Sequence, residues 1–362
     1  MKIGIIGPSE IAFRRFLPAL AGTDGIEYIG IAYADSQEWF MATTGNSQGM
    51  VNAQALQAEA KKAGMFQEAY GGKVFCGYRS LIQSGEVDAV YIPLPPAMHF
   101  KWAKFALEHG LHVFVEKPST TSFSDTKELI CIAEKWKLAL HENYMFAFHS
   151  QLQEVADAIG SGEIGEARLY RINFGFPYRG AGDFRYSKEL GGGALLDCGG
   201  YVLKYADLLL GGSAEITQAS VSYADGMDVE VFGSGVMENK HGQAVQVAFG
   251  MDNDYRCCID IWGSKGTIFS NRILTAPADF VPTYTISKNG SAKTRTMQAD
   301  DAFQKSIYKF LNCIKEQKER TDNYKTLLRQ QYLVEQFACR AGMRAGFKKG
   351  GGGNEGYNFR GE

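Results

Sequence analysis

The feature that most constrains this chain lies at residues 2–20. Lys2-Ile3-Gly4-Ile5-Ile6-Gly7 is a short apolar run that stops at a glycine, and Ile11, Ala12, Phe16, Leu17 and Leu20 follow at helical spacing. A strand that turns at once into a helix calls for a crossover and a parallel neighbour, so the chain is expected to alternate strand and helix. Strand-like segments do recur at Tyr28 to Ala32, Asp88 to Ile92 and Leu111 to Val115, with helical patterns between them. That rhythm belongs to a doubly wound parallel sheet. Residues 36–72 are long for one crossover; the polar stretch Thr43 to Asn52 and the helix-like run Ala53 to Ala63 read as an insertion over a basic βα unit.

After Pro118 the pattern changes. A helix is expected from Ser124 to Lys137, then a glycine-rich passage at Gly191 to Gly193. Ala167 to Phe174, Ile216 to Tyr223, Gln243 to Phe249 and Arg256 to Trp262 alternate apolar and polar residues, as strands of an antiparallel sheet with one covered face do. A final helical pattern, Lys325 to Met343, precedes Lys348, Lys349 and four glycines. A chain of 362 residues exceeds one comfortable core. The expected division is 1–122 for the dinucleotide-type domain, 123–346 for an α+β domain that binds substrate and assembles copies, and 347–362 for a flexible tail. The fold class is α/β: a doubly wound parallel sheet plus an open, mostly antiparallel sheet.

Composition excludes several functions. Thirty-eight basic and forty acidic residues leave a net charge of −2, which offers no cationic footprint for nucleic acid or an anionic membrane. A small molecule is the expected partner. Seven cysteines without a CxxC pair, two of them the neighbours Cys257 and Cys258, fit reduced thiols in a cytoplasm better than a disulfide framework or zinc ribbon. No run reaches the roughly 18 apolar residues of a membrane span. His109 and His112 straddle a helix end and a strand, so no metal site is expected.

The turn Gly7-Pro8-Ser9-Glu10-Ile11-Ala12 reads as a degraded GxGxxA fingerprint, with Ser9 where the second glycine would stand. Such a turn lets backbone N–H groups meet a pyrophosphate at a helix N-terminus, which makes Gly7, Ser9, Glu10, Ile11 and Ala12 candidate cofactor contacts. The acidic residue for the ribose hydroxyls belongs at the end of the second strand, about 20 residues on. Tyr33 stands there and Asp35 two residues later. NAD and NADP both stay open, with a lean to NAD because an acid is near and no arginine is.

Three further segments carry more information: Tyr91-Ile92-Pro93-Leu94-Pro95-Pro96-Ala97-Met98-His99, then Leu111 to Pro118 ending in Glu116-Lys117-Pro118, then Glu189-Leu190-Gly191-Gly192-Gly193 running on to Asp197 and Tyr201. A lysine beside a cationic nicotinamide suits a general base, and Asp197 and Tyr201, four apart, share one helix face. Taken alone, Glu116 and Lys117 read as a strand-end ion pair, Asp197 as a cap and Tyr201 as a half-buried aromatic.

In this order and spacing the set resembles the Gfo/Idh/MocA family of oxidoreductases, from Lys2 to about Gly346. Tyr201, where inositol dehydrogenases have histidine, makes it similar to the branch of glucose-fructose oxidoreductase, dihydrodiol dehydrogenase and NADP-dependent xylose dehydrogenase. The resemblance implies a Rossmann domain and hydride transfer between a secondary alcohol of a sugar, sugar derivative or cyclic polyol and the nicotinamide. It implies Lys117 and Tyr201 as proton-transfer residues, with Asp197 orienting the substrate or the lysine. It places Pro93, Leu94, His99, Glu116 and Lys117 along the cofactor and Glu142, Arg185, Asp197, Tyr201 and Lys117 around the substrate. Pro96 and Ala147 stand where the family usually has asparagine and arginine. It also implies a homodimer or homotetramer through the second sheet. Two other readings stay open: a redox-neutral sugar-modifying enzyme with tightly held NAD, and a non-catalytic regulator.

Overall fold

The computed structural model describes residues 1–38, 53–180 and 182–343. Six strands, β1 (Lys2–Ile6), β2 (Glu27–Tyr33), β3 (Lys73–Cys76), β4 (Ala89–Ile92), β5 (His112–Glu116) and β6 (Leu140–Asn143), form one sheet in the order β3-β2-β1-β4-β5-β6. Every neighbouring pair is parallel. Ile3, Ile5 and Ile6 of β1 and all of β4 are buried, because helices cover both faces, and that is why these strands read as unbroken apolar runs. The strand order reverses between β1 and β4, and a crevice opens at their carboxyl ends. Gly7, Leu94 and Lys117 all follow those ends. β6 lies beyond residue 122.

The second sheet comprises β7 (Ala167–Gly175), β8 (Glu215–Tyr223), β9 (Glu230–Glu238), β10 (Ala244–Gly250), β11 (Arg256–Gly263), β12 (Thr267–Asn271), β13 (Thr283–Lys288) and β14 (Ser291–Thr296). Its order is β14-β13-β12-β11-β7-β10-β9-β8, antiparallel except where β10 runs parallel to β7. Ile172, Val245, Val247, Ile259 and Ile261 bury one face with Val202 and Leu203 of the helix Gly200–Leu209. The opposite face is open.

Two closing helices join these layers. In Ala302–Lys315, Phe303, Ile307 and Phe310 pack with Ile3, Ile5 and Phe114 of the first sheet. In Gln317–Arg340, Tyr324 and Leu327 pack on the β4–β5 side while Leu333 and Phe337 enter the core of the second sheet. Each such side chain contributes about 1.5–3 kcal/mol on burial, so this helix fixes the sheets together more firmly than the cleft between them does. The helix begins at Gln317 rather than Lys325, because its polar first turns carry no apolar periodicity. The inserted helix Ala53–Tyr70 runs past Ala63 and buries Phe66 against Phe13, ring centroids 5.0 Å apart. The polar stretch Thr43 to Asn52 and the tail 347–362 lie outside the described residues. Among the described residues no helix is long and apolar enough to cross a membrane, and no cluster of His, Cys, Asp and Glu is arranged to hold a metal.

Candidate active site

β5 delivers Lys117 to the crevice, followed by a cis Lys117–Pro118 peptide bond. Opposite it, a π-helical turn, Leu195–Gly199, precedes the helix Gly200–Leu209. Lys117 Nζ donates to Asp197 Oδ1 at 2.6 Å and to the Asp197 carbonyl at 2.8 Å. The wider π turn presents that carbonyl together with the carboxylate. Arg185 Nε donates to Asp197 Oδ2 at 2.8 Å, and Arg185 Nη1 lies 3.1 Å from Asp183 Oδ1. Lys117, Asp197, Arg185 and Asp183 therefore form one chain of alternating charge across residues distant in sequence. Burial alone would raise the Asp197 pKa, but Lys117 and Arg185 hold it at about 2. Asp197 stays an anion, and Arg185 is its anchor.

The Tyr201 ring sits in an aromatic frame, 5.1 Å from Tyr144, 5.5 Å from Phe146 and 5.2 Å from Phe174 between centroids. Lys117 Nζ lies 5.2 Å from its centroid. Burial first, then the negative charges of Glu116 and Asp197, raise the Tyr201 pKa well above that of free tyrosine. The phenol therefore stays protonated.

Behind Lys117 the backbone is held by buried polar groups. Glu116 Oε1 accepts hydrogen bonds from the Tyr91 hydroxyl and Asn143 Nδ2, both at 2.7 Å; Ser306 Oγ donates to Asn143 Oδ1 at 2.9 Å. Sequence reasoning missed Tyr91, Asn143 and Ser306 as supports, since no local pattern links them. Glu142 and His99 both have protein partners. Glu142 is buried and its Oε1 accepts the Ser119 N–H at 2.7 Å, so it supports the loop after Pro118. His99 is fully buried, with its ring nitrogens each 2.7 Å from a carbonyl, Pro118 and Leu94. Burial lowers its pKa to about 4 despite those carbonyls. It ties two loops together. Glu116 is likewise interior and bears on the site through its backbone link to Lys117.

At the other end of the crevice, Gly7 has φ +98, and a Cβ there would lie 2.5 Å from Leu94 Cδ2. Only glycine suits that turn. Ser9 does not mimic a glycine: its hydroxyl accepts the Ala12 N–H at 3.2 Å and caps the helix. Among the described residues the Glu10 and Ile11 N–H groups, first of that helix, meet no acceptor, which fits them to a pyrophosphate. The Glu10 side chain turns outward to Arg14 at 2.8 Å, and Ala12 is buried. Pro93 is buried beneath Leu94, whose side chain roofs the turn.

Asp35, on which the lean to NAD depends, has one carboxylate oxygen committed to its own turn. Asp35 Oδ1 accepts the N–H groups of Gln37 and Glu38 at 2.8 and 2.9 Å, so the carboxylate is engaged in a local turn. Glu38 in turn caps the helix Tyr78–Ile82 by accepting the Tyr78 N–H at 2.7 Å. Tyr33 faces Cys76 on β3. Arg79 donates its N–H to Glu38 Oε1 at 3.1 Å and lines one surface hollow with Lys101, which brings two cations from distant sequence near the turn after β2. The crevice thus has a phosphate-fitted turn at one end and a charged corner with a protonated phenol at the other.

Comparison with known proteins gives concordant results. Residues 1–144 match the model of the oxidoreductase family with an NAD-binding Rossmann fold, and residues 152–269 match the GFO/IDH/MocA C-terminal domain. The dTDP-3,4-didehydro-2,6-dideoxy-alpha-D-glucose 3-reductase of Actinomadura kijaniata is 35% identical over 344 residues, covering 95% of this chain and 96% of that protein. A D-xylose 1-dehydrogenase (NADP(+)) of Haloferax volcanii is 26% identical over 316 residues, covering 87% of this chain and 89% of that one. A 3-ketoreductase from Actinomadura kijaniata, solved in complex with NADP and TDP-benzene, superposes with a TM-score of 0.83 at 34% identity, covering 92% of this chain and 96% of that one.

Proposed function

The chain belongs to the Gfo/Idh/MocA family of NAD(P)-dependent sugar oxidoreductases, and from that membership we propose that it interconverts a keto group and a secondary alcohol on a sugar with NADPH as the preferred donor, Lys117 and Tyr201 handling the proton. The observation that carries the reading is the corner itself: Lys117 Nζ 2.6 Å from Asp197 Oδ1 and 5.2 Å from the Tyr201 ring centre. When bound, the reduced nicotinamide supplies a hydride. Tyr201, kept protonated by burial, donates its hydroxyl proton to the substrate oxygen, and Lys117, held by Asp197, stabilises the charge that develops there. Arg185 keeps Asp197 from turning towards the substrate. Glu10 and Ile11 would hold the pyrophosphate by their backbone N–H groups, with Gly7 letting the chain turn close to it, and Arg79 and Lys101 would face a 2′-phosphate.

Support comes also from the relative solved with NADP, in which a lysine and a tyrosine have been replaced whose separation along that chain equals that of Lys117 and Tyr201. The open face of the second sheet exposes Trp262 by 57% and Phe269 by 39%, which supports assembly of copies through it. The test is Lys117→Ala. Turnover should fall at least about a hundredfold while NADPH, followed by its fluorescence, still binds more tightly than NADH. Unchanged turnover refutes the role of Lys117, and tighter binding of NADH refutes the cofactor preference.

A further inference from the structure

We infer that Glu230 is a positioning residue of the redox site: from β9 its carboxylate caps the helical run that carries Asp197 and Tyr201, and so fixes how both side chains meet Lys117. The inference rests on the reading above, that Lys117 and Tyr201 handle the proton. The run starts at Ala194 and continues through the π turn to Leu209. Gly193 stands just before it, at the place where serine, threonine or aspartate usually accepts the N–H of the second helical residue. Gly193 has no side chain to do so, and its φ of +117 suits glycine alone. The acceptor comes from 35 residues further along the chain: Glu230 Oε1 accepts the Leu195 N–H at 2.8 Å.

Gly193 is also what lets the carboxylate come so close. A Cβ there would lie 2.6 Å from Glu230 Oε1 and 2.9 Å from Oε2. The same glycine holds the rest of the corner by its backbone. Its N–H donates to the Arg185 carbonyl at 2.9 Å, and its carbonyl accepts the Asp197 N–H at 3.1 Å. A Cβ on Gly192 would meet the Arg185 carbonyl oxygen at 2.3 Å, so the loop carrying Arg185 packs directly on this segment. Through one residue Glu230 thus bears on both members of the Arg185–Asp197 pair, and through the helix on Tyr201. Two features set Glu230 apart from an incidental cap. It is 4% exposed, and among the described residues no cation pairs with it. Burial pushes its carboxyl up, and backbone N–H groups, that of Leu195 first, pull it back. A buried carboxylate without a cation is costly, and the partial positive charge of a helix N-terminus is the compensation this one has. Asp197 also lies in the first turn of the run it caps, where helices fray, so loss of the cap loosens Asp197 before the rest of the helix.

The experiment compares Glu230→Ala, which removes the acceptor, with Glu230→Gln, which keeps an amide oxygen for the Leu195 N–H, in the full chain. Turnover is followed as NADP-linked oxidation of two probe substrates, xylose and thymidine diphosphate glucose, and amide hydrogen exchange is read by peptide on the same samples. Glu230→Ala should lower kcat at least about tenfold with KM within about twofold, and Glu230→Gln should recover kcat to within about threefold of the native protein. Exchange across residues 193–201 should quicken about fivefold in Glu230→Ala, with β1 and β4 unchanged. The inference is overturned if Glu230→Ala keeps the native kcat, or if Glu230→Gln is as slow as Glu230→Ala. It is also overturned if exchange quickens equally in every element, which is a general loss of stability. The exchange arm separates the two readings: if the native protein oxidises neither probe while exchange quickens over 193–201 alone, the cap is upheld and the redox reading fails. Native turnover that Glu230→Ala leaves intact overturns the Glu230 assignment alone.

Discussion

The two ends of the crevice solve their problems by different means. At the corner of Lys117, Asp197 and Arg185 the work is done by side chains, a buried carboxylate held between two half-buried cations at 2.6 and 2.8 Å. At the turn Gly7 to Ala12 it is done by backbone: a positive φ, two unmet N–H groups and a hydroxyl cap. A site built of charges depends on each residue's identity, because removing one leaves its partners unpaired in a poor solvent for ions. A site built of backbone depends only on the conformations its residues permit. This is why a serine in place of the second glycine is compatible with the turn.

The comparison can be tested by substitution, beginning with the charged corner. Asp197→Asn should cost about 3 kcal/mol in urea unfolding, since its amide oxygen can accept from only one of the two cations and the compensating charge is gone. The same variant should flatten the acid limb of stability. Asp197 titrates at about 2 in the folded chain against an ordinary 3.8, so the unfolded state takes up the proton first. Its contribution is complete above about pH 4 and is lost as pH falls towards 2. A native-like acid limb in Asp197→Asn contradicts the charge chain. Next in size is Gly7→Ala, which should cost about 2 kcal/mol, from positive φ and collision with Leu94, and weaken NADPH binding about tenfold in a fluorescence titration. The smallest effect is expected for Ser9→Ala, about 1 kcal/mol for the lost cap, with NADPH affinity within a factor of about three. If Ser9→Ala abolishes cofactor binding, the turn relies on side chains after all and the contrast between the two ends disappears.

The parts legible in the sequence were those with local causes. Strand periodicity located β1, β5 and β7, and the Glu116-Lys117-Pro118 and Gly191-to-Tyr201 segments pointed to Lys117, Asp197 and Tyr201, which the fold brings together. Arg185 was legible as a residue near the substrate but not as the anchor of Asp197, because that role depends on a loop folding back by Asp183. The supports Tyr91, Asn143 and Ser306 come from three separate elements and have no shared motif. The loop-holding bonds of Glu142 and His99 were illegible for a related reason: a polar residue in a motif looks the same whether it faces the cleft or holds the loop behind it. The turn at Asp35 was likewise hidden, because sequence does not show that its Oδ1 accepts the N–H groups of Gln37 and Glu38.

The π turn at Leu195–Gly199 has a consequence for how such a site can change over time. Asp197 lies within the turn and Tyr201 just beyond it, so the angular offset between the two is set by how many residues the turn contains. Removing one residue would advance everything after it by about 100°, one step of a regular helix, and swing the Tyr201 ring off the Lys117 side while its apolar neighbours still found a core. The segment therefore acts as a phase setting: its letters can drift, but its length is locked to the chemistry.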